Sequence, residues 1–249
     1  GGASRAMEWE GDPGWIALDP SWTESAWLFV KLGITHILTG ADHLLFLLCL
    51  VLPFRKLGSL VAIVTAFTVA HSITLISAAS GLGPSALWFP ALIETLIAAS
   101  ILYMAIENIF GVSSVHRRWA LTFLFGLVHG FGFSFALKET LQFAGSHLLA
   151  SLVSFNLGVE LGQLAVLVLA VPALHWMLSK VDQRVGIIVI SAFVAHEAWH
   201  WMIERAATLS KFSISPPDAA GVASLLRWAI LPVLAFAGYQ FLVSRRSRT

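Results

Sequence analysis

The sequence predicts an all-α, polytopic membrane helical bundle with about seven transmembrane helices. Three observations lead there. Of 249 residues, 57% are hydrophobic and 12% are charged, against about 25% charged in a soluble domain. Apolar runs long enough to cross a bilayer recur along most of the chain. The short alternating segments of a membrane β-barrel are absent. The lone cysteine, Cys49, lies in an apolar run and rules out an intrachain disulfide. A net charge of +1 without a basic, aromatic-laced patch gives no reason to expect nucleic acid.

The spans follow from apolar length and punctuation. Residues 1–26 form an acidic, Trp-rich segment with no basic stretch leading into an apolar core, so no signal peptide is read there. The transmembrane domain, 27–249, opens with span 27–54, which closes at Pro53-Phe-Arg55-Lys56. Span 57–79 ends at Gly81-Leu-Gly83-Pro84, and span 87–110 ends before His116-Arg117-Arg118. Span 118–138 runs to Lys138, and Gly145-Ser precedes span 147–178. That fifth span is overlong, and Pro172 is expected to bend or end it. Span 185–205 is followed by Ser215-Pro216-Pro217-Asp218, and span 223–244 completes the set.

Arg55, Lys56, Arg117, Arg118, Lys180, Arg184, Arg245, Arg246 and Arg248 fall in the loops after spans one, three and five and in the tail. By the positive-inside rule this puts the N-terminus outside and the C-terminus in the cytoplasm. The segment 1–26 is then extracytoplasmic, an interfacial belt whose carboxylates also suit a cation-attracting vestibule.

An ionisable cluster interrupts the first span: His36-Ile-Leu-Thr-Gly40-Ala-Asp42-His43. A charge at mid-bilayer costs about 3 kcal/mol, and a metal ion is the best partner for imidazoles beside a carboxylate. On a continuous helix His36 and His43 share a stripe with Asp42 beside it. Counting inward at about 1.5 Å per residue brings His71, His129, Asn156, Glu160 and His196 to one depth near mid-membrane, with His200 slightly shallower. Asn156, Glu160 and Gln163 form one helical stripe, and Gly158 with Gly162 makes a small-xxx-small pair for close helix approach. Gly126, Gly130 and Gly132 around His129 allow tight packing or a locally opened helix.

Span six carries His196-Glu197-Ala-Trp199-His200, a His-Glu-x-x-His match suited to zinc, with Glu197 as a general base. A zinc hydrolase needs a third ligand as well, from Asp42, His43 or His129. The plainer reading makes His200 and Trp199 interfacial and pairs Glu197 with a polar neighbour. His116, His147 and His175 read as interfacial anchors.

The run Gly33-Ile-Thr-His36-Ile-Leu-Thr-Gly40-Ala-Asp42-His43-Leu-Leu-Phe resembles the HupE/UreJ family of membrane proteins. So do Phe67-Thr-Val-Ala-His71-Ser, Phe125-Gly-Leu-Val-His129-Gly and Asn156-Leu-Gly-Val-Glu160-Leu-Gly-Gln163, a family-like core over about 33–172. The resemblance implies nickel or cobalt uptake for metalloenzyme maturation, a bacterial inner membrane, and metal ligation by His36, Asp42 and His43. A second family motif, with two His-Gly pairs and a Glu, is matched only at His129-Gly130. Phe125-Gly126 stands for the first pair and Gly132 for the Glu, which points to a variant branch.

The combined expectation is a nickel/cobalt-type divalent metal permease in which His36, Asp42 and His43 bind first and His71, His129 and Glu160 complete or relay the site. Imidazole and carboxylate suit nickel, cobalt or zinc alike. No nucleotide-binding motif is present, so a gradient or a partner drives transport. The alternatives are an intramembrane zinc hydrolase built on His196, Glu197 and His200, and a metal-sensing or accessory subunit. Besides lipid and the metal, metalloenzyme-maturation proteins or further copies of the chain are the expected partners.

Overall fold

A computed structural model describes residues 21–54, 56–84, 86–111, 114–141 and 147–212. The segment 1–20 and the expected span 223–244 lie outside the described residues. Seven helices and no strands occur within them: α1 (Trp22–Thr39), α2 (Ala41–Val51), α3 (Leu57–Ala79), α4 (Phe89–Phe110), α5 (Val115–Leu141), α6 (Leu148–Leu178) and α7 (Gln183–Leu209). Helices α3, α4, α6 and α7 are each long and apolar enough to cross a membrane, and α1 with α2 makes a fifth such unit.

That fifth unit corrects the sequence expectation of a straight first span. Helix α1 stops at Thr39, α2 starts at Ala41, and the two are bent by 70° at Gly40. The Gly40 amide still donates to the His36 carbonyl at 2.9 Å, and its own carbonyl opens α2 by accepting from Leu44 at 3.0 Å. Both helix ends therefore keep backbone partners at the break, as a membrane interior demands. Helix α6 runs through Pro172 to Leu178, so the proline does not end it.

Other boundaries follow local chemistry. Ser21 and Glu24 form a reciprocal capping box at the start of α1. Asp182 caps α7 by accepting from the Val185 amide at 2.9 Å. Helix α4 ends at Gly111 with φ of 73°, a left-handed conformation that glycine adopts without steric cost.

The bundle is built from tightly paired helices: α1 on α6, α3 on α5, and α4 on α7. Glycines bring two of these pairs to backbone contact. A Cβ on Gly33 would strike the Phe155 carbonyl of α6, and one on Gly158 would strike the Val30 carbonyl of α1. Gly162 faces Ile34 and Ile37 of α1, so the Gly158/Gly162 pair does what its spacing suggests. On α5, Gly126 lies against Phe67 and Ala70 of α3, and Gly130 against His71 and Thr74. Small residues matter because lipid supplies no hydrophobic drive between helices, which leaves close packing to hold them.

Candidate metal centre

The break at Gly40 creates the centre. On a straight helix, residues seven apart are separated by ~10.5 Å along the axis, too far to share one ion. Here the rings of His36 and His43 are 4.6 Å apart, centroid to centroid. Helix α3 adds His71, its ring 6.3 Å from His36 and 6.2 Å from His43. Helix α5 adds His129, 5.3 Å from His43. Among the described residues, two groups of three bring their ligand atoms within 4.8 Å of one another: His36, His43 and His71, and Asp42, His43 and His129.

The hydrogen bonds around these rings set which nitrogen faces inward. Asn156 on α6 donates its Nδ2 to the Leu152 carbonyl at 2.9 Å, which turns its Oδ1 toward His71 Nδ1 at 3.1 Å. That oxygen accepts from Nδ1–H, leaving His71 Nε2 with its lone pair. Ser100 on α4 donates to the Ile97 carbonyl at 2.6 Å, so it accepts from His129 Nε2–H at 3.0 Å. The free lone pair of His129 is then on Nδ1. Asp42 Oδ1 accepts from the His43 amide at 3.0 Å and from His43 Nδ1 at 3.2 Å, freeing His43 Nε2. These three inner nitrogens and His36 Nε2 are buried and have no hydrogen-bond partner. An unpaired buried polar atom costs about 1–3 kcal/mol. Four such atoms, on rings that the two groups of three gather beside Asp42, form a donor set waiting for an acceptor of electron pairs, and the supported rings match how metal-ligating histidines are oriented.

Exposure is graded. His43, His71 and His129 are 4%, 0% and 1% exposed, while the Asp42 side chain is 26% exposed and His36 is half-buried. The break thus forms a rim, with deeper ligands behind it. Aromatic rings wall the space. Phe133 lies 3.9 Å from His36, centroid to centroid, and stacks on Phe155, while Phe67 and Phe46 flank His129. In this apolar box a cation meets few donors except the inward nitrogens and Asp42.

Other sequence candidates stand elsewhere. Glu160 is half-buried between α6 and α3, accepting from Thr65 Oγ1 at 2.6 Å and from Thr68, which also touches Gln163 Oε1 at 2.9 Å. It belongs to neither group of three. His196 and His200 are exposed on α7, their rings 4.5 Å apart, and Glu197 is half-buried beside them. Among the described residues no third ligand joins them.

A further cluster escaped the sequence reading. Arg118, read there as a loop charge, is fully buried. Its Nε lies 3.0 Å from Glu107 Oε2, and it also bonds Asn108 and the Cys49 carbonyl at the far end of α2. Arg117 reaches the other oxygen of Glu107 at 3.2 Å. A positive charge beginning a helix reads as loop until the carboxylate one helix earlier is known to face it.

A family model described as HupE / UreJ protein matches residues 14–205, more than half the chain and all the residues of the centre. The chain belongs to the HupE/UreJ family. No curated protein and no solved structure matches it. Membership and the apolar helices make this a membrane protein related to nickel and cobalt handling, in an accessory or transport capacity. The HupE/UreJ match takes in α1 to α6 and most of α7, so His196 and His200 fall inside it with the centre.

Proposed function

We propose that this HupE/UreJ protein is a permease for a divalent transition metal of the nickel/cobalt class, with the metal as its cargo. The observation that carries this reading is the set of four buried, unpartnered nitrogens of His36, His43, His71 and His129, on rings that two overlapping groups of three gather with Asp42 within an apolar bundle. Imidazole and carboxylate donors suit Ni²⁺, Co²⁺ or Zn²⁺ and leave the choice to geometry and availability.

The cargo first meets the rim, where Asp42 offers a negative charge and His36 a neutral nitrogen. His36 stands in the last turn of α1, where the helix dipole presents its negative end. His43, His71 and His129 then replace water in the cargo's coordination shell, and Asn156 and Ser100 hold the two deep rings ready. Residues 1–26 lie outside the membrane as an attracting vestibule, and the tail lies in the cytoplasm of a cell membrane. Glu160 acts beside this path, holding α6 to α3, and is not a ligand to the cargo. The hydrolase reading is set aside because His196 and His200 lack a third ligand among the described residues.

Purified protein in liposomes loaded with a metal-sensitive dye tests the proposal. Influx of Ni²⁺, Co²⁺ or Zn²⁺ that is lost in His43→Ala supports it. Metal binding without flux would instead favour the accessory reading.

A further inference from the structure

We propose that the centre is two overlapping stations, and that a single divalent transition-metal ion is handed between them on His43. The inference rests on the permease reading and adds how the cargo is held.

The donors fall into two groups that share His43 alone. His36 and His71 group with His43, and so, separately, do Asp42 and His129. At metal–nitrogen distances of ~2.0–2.1 Å, ligand atoms of one ion stand no more than ~4.2 Å apart, and the ligand atoms of each group all lie within 4.8 Å of one another.

Each station has the same parts from different sources. One ligand is at the rim, and the two rim ligands lie on opposite sides of Gly40: His36 in the last turn of α1 and Asp42 in the first turn of α2. One ligand is deep, His71 from α3 or His129 from α5. Each deep ring has its own support from a different helix, Asn156 of α6 for His71 and Ser100 of α4 for His129. The two deep rings are thus held by different helix pairs, α3 with α6 and α5 with α4.

His43 connects the two. Its Nδ1 is engaged by Asp42, and its Nε2 is the unpartnered atom. With one free nitrogen His43 serves one ion at a time, so the stations exclude each other, and Asp42 must release Nδ1 to join His129 on an ion held at Nε2. The cargo moves by exchanging two ligands while keeping the third. The stations also differ in charge, because one has three neutral imidazoles and the other has a carboxylate with two.

The test uses the full chain in detergent and Co²⁺ alone, read by its visible absorption bands and by titration. The wild type is expected to bind one Co²⁺ per chain. His71→Ala and His129→Ala are each expected to retain one Co²⁺ with different band positions, because one keeps the carboxylate station and the other the all-imidazole station. His43→Ala is expected to weaken binding more than ~100-fold, beyond the range for losing an outer support. Both single-station variants should lose flux in liposomes. His71→Gln and His129→Gln, which keep a polar group for Asn156 and Ser100, replace any alanine variant that fails gel filtration. If either deep-ring variant, folded by that criterion, loses Co²⁺ as fully as His43→Ala, there is one site and the proposal falls. Two Co²⁺ bound at once by the wild type would overturn it too. A wild type that binds none would defeat the permease reading itself.

Discussion

Asn156 Oδ1 stands 3.1 Å from His71 Nδ1 and fixes which nitrogen of that ring faces the centre. The contact joins α6 to α3, so a residue outside the metal-capable groups governs one inside them. Asn156→Leu removes the support without touching a ligand. Metal affinity should fall ~10- to 100-fold, the usual effect of losing an outer partner of a ligating histidine, while helical content is unchanged. Calorimetric titration beside circular dichroism checks this, and unaltered affinity would remove Asn156 from the centre.

Gly40→Ala tests the break itself. The backbone there, φ −78° and ψ 99°, is open to any residue, so the substitution acts through contact. The added Cβ would lie 2.7 Å from the His36 carbonyl, 3.1 Å from His43 Nδ1 and 3.2 Å from Asp42 Oδ1. Such crowding shifts Asp42 and His43 together. Metal binding should weaken at least ~10-fold, as for lost ligand support, with the bundle still folded, as read by Co²⁺ titration and thermal unfolding.

The buried pair at the opposite end gives a stability prediction. Arg118→Met leaves the Glu107 carboxylate with Arg117 alone and should destabilise the protein by about 3–5 kcal/mol, the typical cost of orphaning one member of a buried pair. The double variant Glu107→Leu/Arg118→Met should recover much of that loss, since both charges are gone. Unfolding in detergent, compared across the wild type and the single and double variants, gives the coupling directly.

The exposed face of α7 should be dispensable for metal. His196→Ala, Glu197→Gln and His200→Ala are expected to leave Co²⁺ stoichiometry and flux at wild-type levels, because those side chains stand outside both groups of three. Lost function with metal still bound in Glu197→Gln would revive the hydrolase.

The helices were legible in the sequence because apolar length and Gly/Pro punctuation act locally, and α3 begins and ends where the expected span does. His36, Asp42, His43, His71 and His129 were legible because ionisable groups in apolar runs are costly without a partner. Depth is only one coordinate, however. Glu160 and His196 share the expected level with the centre, but rotation about the helix axis turns Glu160 to Thr65 and Thr68 and turns His196 outward. Rotation depends on packing, which a single sequence does not specify. The break was hidden for another reason. A glycine inside an apolar run reads as a tolerated helix residue, and what marks Gly40 as a corner is the lack of room for a Cβ there among the His36 carbonyl, His43 and Asp42. Ser100 carries no signal in the sequence, because its role comes from the His129 ring that packing sets against it.

The corner at Gly40 also makes α2 a lever with unequal arms. His43 lies about 4.5 Å along the helix from the corner and Cys49 about 13 Å, at 1.5 Å per residue. A swing of about 10° would therefore move the imidazole by less than ~1 Å and the Cys49 carbonyl by more than ~2 Å. That carbonyl is gripped by Asn108 Nδ2 at 2.9 Å and Arg118 at 3.3 Å. Opening or closing the corner would thus be felt first at the charged cluster far from the histidines, while the chemistry near the fulcrum stays nearly still.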